Sequence, residues 1–361
     1  MPRQSPLQLL TACLTTALTT ALTTAVTIAA FLSLTAPAGA QHFYDGKQIN
    51  LIVGSGVGGG YDVYSRLVAR HWPKHIPGKP NIVVQNLPAA GSLVATNNLA
   101  NTYPRDGLTI AQIQTHMAVE QIMATTGSFD NVKFDARTLN WIGSIAKEVP
   151  LVVVWHTAPI KSFKDVLQRE MITGASGTGT SDAVYPRIMN DLIGTKVRVV
   201  DGYKDNPSMI LATETGEIMG RAGWFASSLL STQSQPLRAG KLNVIAQVST
   251  EKHTEFPDAP LAADFITDPG KRAQLAFSTS WLPIGRPFAA PPGVPEERMQ
   301  ILRDSFMATT RDPELLAEAK KMILDISPLS GPQIQATVAK LLDTPKDIVQ
   351  SVRAIMLPNR K

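Results

Sequence analysis

Two glycine-rich stretches hold the residues best placed for chemistry. The first is Gly54-Ser55-Gly56-Val57-Gly58-Gly59-Gly60-Tyr61-Asp62. It follows the apolar run at 48–53 and precedes Val63, Tyr64, Leu67, Val68 and Trp72 at helical spacing. The second is Gly174-Ala175-Ser176-Gly177-Thr178-Gly179-Thr180-Ser181-Asp182, which precedes Ala183, Val184, Ile188, Met189 and Leu192. Glycine lets backbone approach a ligand closely. A helix that starts there aims unpaired N–H groups and a partial positive charge at the same place. The product is an anion site, fit for a carboxylate as well as a phosphate. Ser176, Thr178, Thr180 and Ser181 add hydroxyl donors. Tight turns and helix caps use the same residue types; a cap accounts for one of the four hydroxyls, and a first-turn acid accounts for Asp62.

Gly54, Gly56 and Gly59 spell G-x-G-x-x-G, the dinucleotide pattern. The second strand, however, ends in Gln85-Asn86, where that fold places an acid for the ribose hydroxyls. In the second loop Thr178 occupies the last glycine of the hydrolase pattern G-x-S-x-G. No Gly-Lys-Ser/Thr closes it as a phosphate loop. An α/β enzyme using the first loop for a nucleotide cofactor stands as the alternative to a binding protein, and an envelope protein that binds no solute is a third reading.

The elements that position these loops alternate. Strand patterns at 48–53, 81–84 and 108–113 enclose helical patterns, which implies a parallel sheet covered by helices. A second set starts at Leu151-Val152-Val153-Val154, a strand suited to burial on both faces. Further strands are expected at 171–174, 197–200, 217–220 and 242–248. Beyond residue 250 come loops and then amphipathic helices at 296–309, 313–322, 331–342 and 346–356, with the proline-rich stretch 288–295 expected to be irregular.

Length and composition bound the function. The 361 residues suggest about two domains. Hydrophobic residues make up 44% and charged residues 17%, as in folded globular chains. The net charge of +5 comes without a basic run interleaved with aromatics, which argues against a nucleic-acid partner. In residues 1–40 Arg3 is the only charged side chain, 14–34 is apolar and Thr-rich, and Ala38-Gly39-Ala40 forms a cleavage pattern. This reads as an export signal cleaved after Ala40. The alternatives are a retained anchor, because about 20 apolar residues span a bilayer, and lipid attachment at Cys13, before which little apolar sequence lies. Cys13 is the only cysteine, so the mature chain has no disulfide, thiol nucleophile or Cys-bound metal.

Ile52-Val53-Gly54, then Gly58-Gly59-Gly60-Tyr61-Asp62 and Arg66, resemble the first signature of the tripartite tricarboxylate transporter receptors, also called Bug-type periplasmic solute-binding proteins. Val84-Gln85-Asn86-Leu87-Pro88-Ala89-Ala90-Gly91 is similar to their second signature, residues 174–181 to their second ligand loop, and Pro291-Pro292-Gly293-Val294-Pro295 to their late Pro-Gly-x-Pro segment. Gln85 replaces the usual acid and Ala89 the usual glycine. Gly202-Tyr203-Lys204-Asp205 shifts the glycine of the family's Tyr-Lys-Gly, and Pro186 puts the first turns of its helix in doubt.

The resemblance implies a two-lobed α/β fold of the type II periplasmic-binding-protein kind, with a mostly parallel sheet in each lobe and a cleft between them. Residues 41–149 and 251–361 would form lobe 1, and 150–250 lobe 2. The lobes would close on an organic carboxylate solute without catalysis or cofactor. Val57, Gly58, Gly59, Gly60 and Tyr61 would face Ser176, Gly177, Thr178, Gly179, Thr180 and Ser181 across the cleft, with Tyr203 nearby. The protein would be a periplasmic monomer that delivers its solute to a permease of one large and one small membrane subunit.

Three other side chains bear on the site. Arg221, at a strand end, has the fork to hold a second carboxylate bidentately, or else makes an ion pair. His116, after the third strand, lies where it would line the first lobe's side of the cleft, or is a hydrogen-bonded core histidine. His71 and His75 have metal-like spacing, but Pro73 ends the helix between them, so no metal site is expected.

Overall fold

The computed structural model describes residues 43–124 and 129–356. The export signal and Cys13 lie outside the described residues. The first sheet contains β1 (Gln48–Val53), β2 (Asn81–Asn86), β3 (Thr109–Gln112) and β4 (Asn140–Ser144). The second contains β5 (Pro150–Trp155), β6 (Met171–Ala175), β7 (Val197–Asp201), β8 (Gly220–Phe225) and β9 (Leu242–Gln247). The chain then returns to the first sheet with β10 (Pro287–Ala290) and β11 (Leu329–Ser330). The longer helices are α1 (Gly60–His71), α2 (Leu93–Asn101), α3 (Phe163–Gln168), α4 (Ser181–Ile193), α5 (Asn206–Glu214), α6 (Ala226–Arg238), α7 (Pro269–Thr279), α8 (Glu296–Thr309), α9 (Pro313–Lys321), α10 (Gly331–Leu342) and α11 (Lys346–Met356).

Strand order is β11-β4-β10-β3-β1-β2 in one sheet and β7-β6-β8-β5-β9 in the other. The two-lobed α/β architecture holds, but strand direction is mixed. β1 runs parallel to β2 and β3, and β6 parallel to β7 and β8. β10, β4 and β11, and likewise β8, β5 and β9, pair antiparallel. The returning strand β10 enters the first sheet from the other lobe, so no crossover helix forces it parallel. The parallel part is the part that delivers the glycine loops, each at the C-terminal end of a central strand. There an α/β sheet opens its crevice.

β5 is fully buried along Pro150–Val154, as its unbroken apolar run requires. The first lobe's core centres on Trp72, which meets Phe288 and Phe306 edge-on. The stretch expected to be irregular thus supplies a central strand: Phe288, Ala289 and Ala290 fit between β3 and β4, and Pro287 and Pro291 mark its two ends. α4 runs through Pro186 from Ser181 onward, so the proline does not break its first turns. α7 and α11 pack on α4, so these late segments lie against the second sheet's helix layer. Among the described residues, no helix is long and apolar enough to cross a membrane.

Candidate functional site

Both glycine loops line one cleft of about 270 Å³ between the lobes. The first contributes Gly54, Ser55, Gly56, Gly59, Gly60 and Tyr61, and the second residues 176–182. Gly59 stands at the cap position before α1 and Thr180 at that before α4, and neither start has a side-chain cap. The N–H groups of Gly60 and Tyr61, and of Ser181 and Asp182, are therefore left without a helix partner at the cleft, while Ala183 N already donates to Thr180 O at 3.0 Å. α5, which also begins at the cleft, is capped: Asp205 Oδ1 accepts from Ser208 N at 2.9 Å.

Asp62 holds the first loop in shape rather than serving a ligand. Its carboxylate accepts from Gly58 N at 3.0 Å, from Arg66 Nε at 3.0 Å and from Asn86 Nδ2 at 2.9 Å. Burial works against the charge, but these hydrogen bonds outweigh it and hold Asp62 below its ordinary value of 3.8. Asn86 also donates to Ser55 O at 2.9 Å, which ties the end of β2 to the loop.

The second loop has a similar acid. Asp182, in the first turn of α4, pairs with Arg221, Nη2 to Oδ2, at 2.6 Å. Gly223 makes room for this packing: at φ +98 it brings β8 so near that a Cβ would sit 2.2 Å from Ser181 O.

The cleft's free polar atoms are mostly donors. Trp224 Nε1, Asn206 Nδ2 and Arg286 Nη1 are buried without a hydrogen-bond partner among the described residues, and so is the hydroxyl of Ser55. All four residues line the cleft. Arg221 Nη1 donates to Asn206 Oδ1, which leaves that amide only its N–H groups to offer. The hydroxyl of Thr180 is already committed, donating to Gly177 O at 2.8 Å.

Not every residue expected at the site is there. Val57 points to solvent, 63% exposed, and neither it nor Gly58 lines the cleft. Gly58 has φ +76 and donates its N–H to Asp62, so it shapes the loop. Tyr203 lies outside the lining, and its hydroxyl donates to Glu217 at 2.5 Å. The residues just after it, Lys204, Asp205 and Asn206, line the cleft instead. Arg221 lines the cleft, but its Nε, Nη1 and Nη2 already donate to Asp182 and Asn206 and its guanidinium is stacked 4.2 Å from the Trp224 ring centre. His116 lines a small cavity beside the cleft.

The sequence profile described as "Tripartite tricarboxylate transporter family receptor" matches residues 65–353. The chain belongs to that family. Its members are receptors for transport rather than enzymes. A UPF0065 protein of Bordetella pertussis is 25% identical over 293 residues, covering 79% of this chain and 83% of its own. Among solved structures, the R. palustris protein Rpa4515 with adipate is 18% identical with a TM-score of 0.67, covering 85% of this chain and 97% of that one. The periplasmic binding protein BugD is 16% identical with a TM-score of 0.66, covering 86% and 98%. At these identities the solved structures bear on the fold of the receptor, not on its solute.

The receptor has one feature at the cleft that the sequence did not suggest. Arg286, just before β10, is fully buried at the cleft floor and pairs with Glu148 at 2.6 Å. Its guanidinium lies over the rings of Tyr61 and Tyr64, 4.3 and 4.9 Å from their centres. Ser227 of α6 donates to Glu148 at 2.5 Å, so this cluster joins segments from both lobes. A Cβ on Gly60 would sit 2.6 Å from Arg286 Nη2 and 2.9 Å from Ser228 Cβ. Only glycine lets the start of α1 come this close. No local pattern links residues 148, 227 and 286, which is why the cluster is invisible in sequence.

Far from the cleft, His71, Asp312 and Glu314 come within reach of a common metal ion. The ammonium of Lys74 fills that space, 2.6 Å from Asp312 and 2.8 Å from Glu314, while His75 lies 2.6 Å from Asp312. The group is an ion-pair network fastening the end of α1 to α9.

Proposed function

We propose that this receptor captures a carboxylate-bearing solute between its two glycine loops and hands it to a membrane permease of the tripartite type. The observation that carries the reading is the set of buried, unpartnered donors lining the cleft together with two uncapped helix starts. A buried donor without an acceptor costs about 1–3 kcal/mol. Several in one cleft call for a ligand made of acceptors, and a carboxylate supplies four lone-pair sites. The acids in and behind the cleft wall are already engaged: Asp182 by Arg221 and Asp205 by the start of α5 in the lining, and Asp62 behind it by Arg66 and Asn86. Lys204, at the rim, adds a cation with no ion pair among the described residues. The adipate in the R. palustris structure is an acid of the same chemical class.

The contacts are backbone N–H of Gly59, Gly60 and Tyr61 from one loop, and N–H and hydroxyl groups of Ser176, Thr178 and Ser181 from the other. Binding is a hinge closure of residues 41–149 with 251–361 against 150–250, and no bond is made or broken. The receptor acts as a monomer in the periplasm after cleavage behind Ala40, and the permease has one large and one small subunit. Support for export is the A-x-A pattern after an apolar run. Thermal shift with a panel of mono-, di- and tricarboxylates tests the reading: at least one acid raises the melting temperature and NAD, NADP and ATP do not. A shift with a nucleotide and none with any organic acid would overturn it in favour of a nucleotide-using enzyme.

A further inference from the structure

Beside the second loop, next to the cleft, lies a side cavity of about 20 Å³. Gln114, Gly179, Ser181 and Phe225 line both spaces, so the two are immediate neighbours. The rest of its wall is largely apolar, with Val184 of α4 from one lobe and Trp281 from the other. One residue of this wall carries a buried polar atom without a hydrogen-bond partner among the described residues, Nε2 of His116. Burial pushes the imidazole down in pKa, against the opposing charge of Glu120.

We propose that this cavity is a second subsite of the solute site and takes a hydroxyl group carried near the solute's carboxylate, hydrogen-bonded to His116 Nε2. The size fits: a space of this volume holds one water-sized group. The polarity fits too, because a single buried nitrogen in an apolar wall needs one partner. Charge does not fit. A second carboxylate here would be desolvated against Val184, Phe225 and Trp281, and the cavity lining offers it no cation. Gly179 and Ser181 border both spaces, which places the hydroxyl only a few bonds from the carboxylate. The inference rests on the carboxylate reading above and narrows it to hydroxy acids.

Calorimetry of the purified protein with pentanoate and with 2-, 3-, 4- and 5-hydroxypentanoate tests it. The expected result is that one hydroxy isomer binds about tenfold tighter than pentanoate. His116→Phe then erases the preference, and His116→Gln, which keeps a hydrogen-bonding group at that reach, retains most of it. Val184→Leu fills the cavity from the opposite lobe and erases the preference with His116 intact, so it decides the matter should His116→Phe fail to fold. Pentanoate binding with no preferred isomer, or a preference that survives both His116→Phe and Val184→Leu, overturns the subsite alone and leaves an ordered water as the partner of His116. Failure of all five acids together with a flat carboxylate panel overturns the subsite and the carboxylate reading together.

Discussion

Arg221 grips Asp182 with two N–H groups, Nε to Oδ1 at 3.1 Å and Nη2 to Oδ2 at 2.6 Å, and both side chains are buried. This pair makes the floor of the second loop electrically neutral while keeping it rigid. It also orients Asn206, through the third donor of the same guanidinium, and leaves the Asn206 Nδ2 without a hydrogen-bond partner among the described residues. In the proposed site Arg221 therefore has the part of organising the donors rather than of meeting the solute.

Removing Arg221 should cost stability first. Arg221→Ala leaves Asp182 buried and unpaired, with an expected loss of about 3–5 kcal/mol. Urea denaturation of the ligand-free protein reads this directly. An unchanged unfolding midpoint accompanied by lost solute binding would make Arg221 a ligand contact.

Adjacent glycines should respond differently. Gly59 has room for a methyl, with Gly56 O at 3.5 Å and Asn206 Cβ at 4.0 Å. Gly60 does not, because a Cβ there sits 2.9 Å from Ser228 Cβ and 3.0 Å from its Cα. Gly59→Ala should bind solute within a few-fold of wild type, and Gly59→Leu should weaken binding at least tenfold by pressing on Asn206. Gly60→Ala should destabilise by about 1–3 kcal/mol as an overpacked position. Calorimetry and thermal melts on the three variants check the order.

The hydroxyls of the second loop divide the same way. Thr178→Val removes a cleft-facing donor and should weaken binding about tenfold with little change in stability. Thr180→Val should lower stability instead, since its hydroxyl secures Gly177 O. Tyr203→Phe should leave affinity unchanged, because that hydroxyl is spent on Glu217 outside the cleft. Titration calorimetry on each, paired with a melt, would expose any reversal.

Much of this was legible in the residues. The two strand–glycine–helix units announce themselves by composition, and their position at strand C-termini follows from the parallel pairing of the strands that carry them. The late helices were readable because their apolar spacing is regular: α8, α10 and α11 match the pattern residue for residue. What failed to show was whatever depends on distant pairing. β4, Asn140–Ser144, is too short and mixed to stand out. β10 was hidden by its flanking prolines, which mark its ends rather than forbid it. β8 was placed early because Gly220 and Gly223 look like turn residues, while their positive φ lets the strand pass under neighbouring backbone. The Arg286–Glu148 pair had no signal at all.

Acid should loosen the network between α1 and α9 in a defined range. Burial pushes Asp312 up, but hydrogen bonds from Lys74 and His75 win and hold it well below 3.8. An acid depressed in the folded state adds stability that is fully present above its unfolded value and is lost as the pH falls through the folded one. Asp312→Asn should therefore be less stable than wild type at pH 7, and the gap should close as the pH drops below about 3.8. Denaturant melts of both proteins across pH 2–7 would refute the assignment if the gap were constant.

The central claim is that two facing glycine loops seize a carboxylate. A crystal structure of the receptor with the organic acid giving the largest thermal shift tests it most directly. The account predicts carboxylate oxygens within hydrogen-bonding distance of the Gly59–Tyr61 amides on one side and of Thr178 or Ser181 on the other. A carboxylate bound elsewhere, or one held by Arg221 with Asp182 displaced, would contradict it.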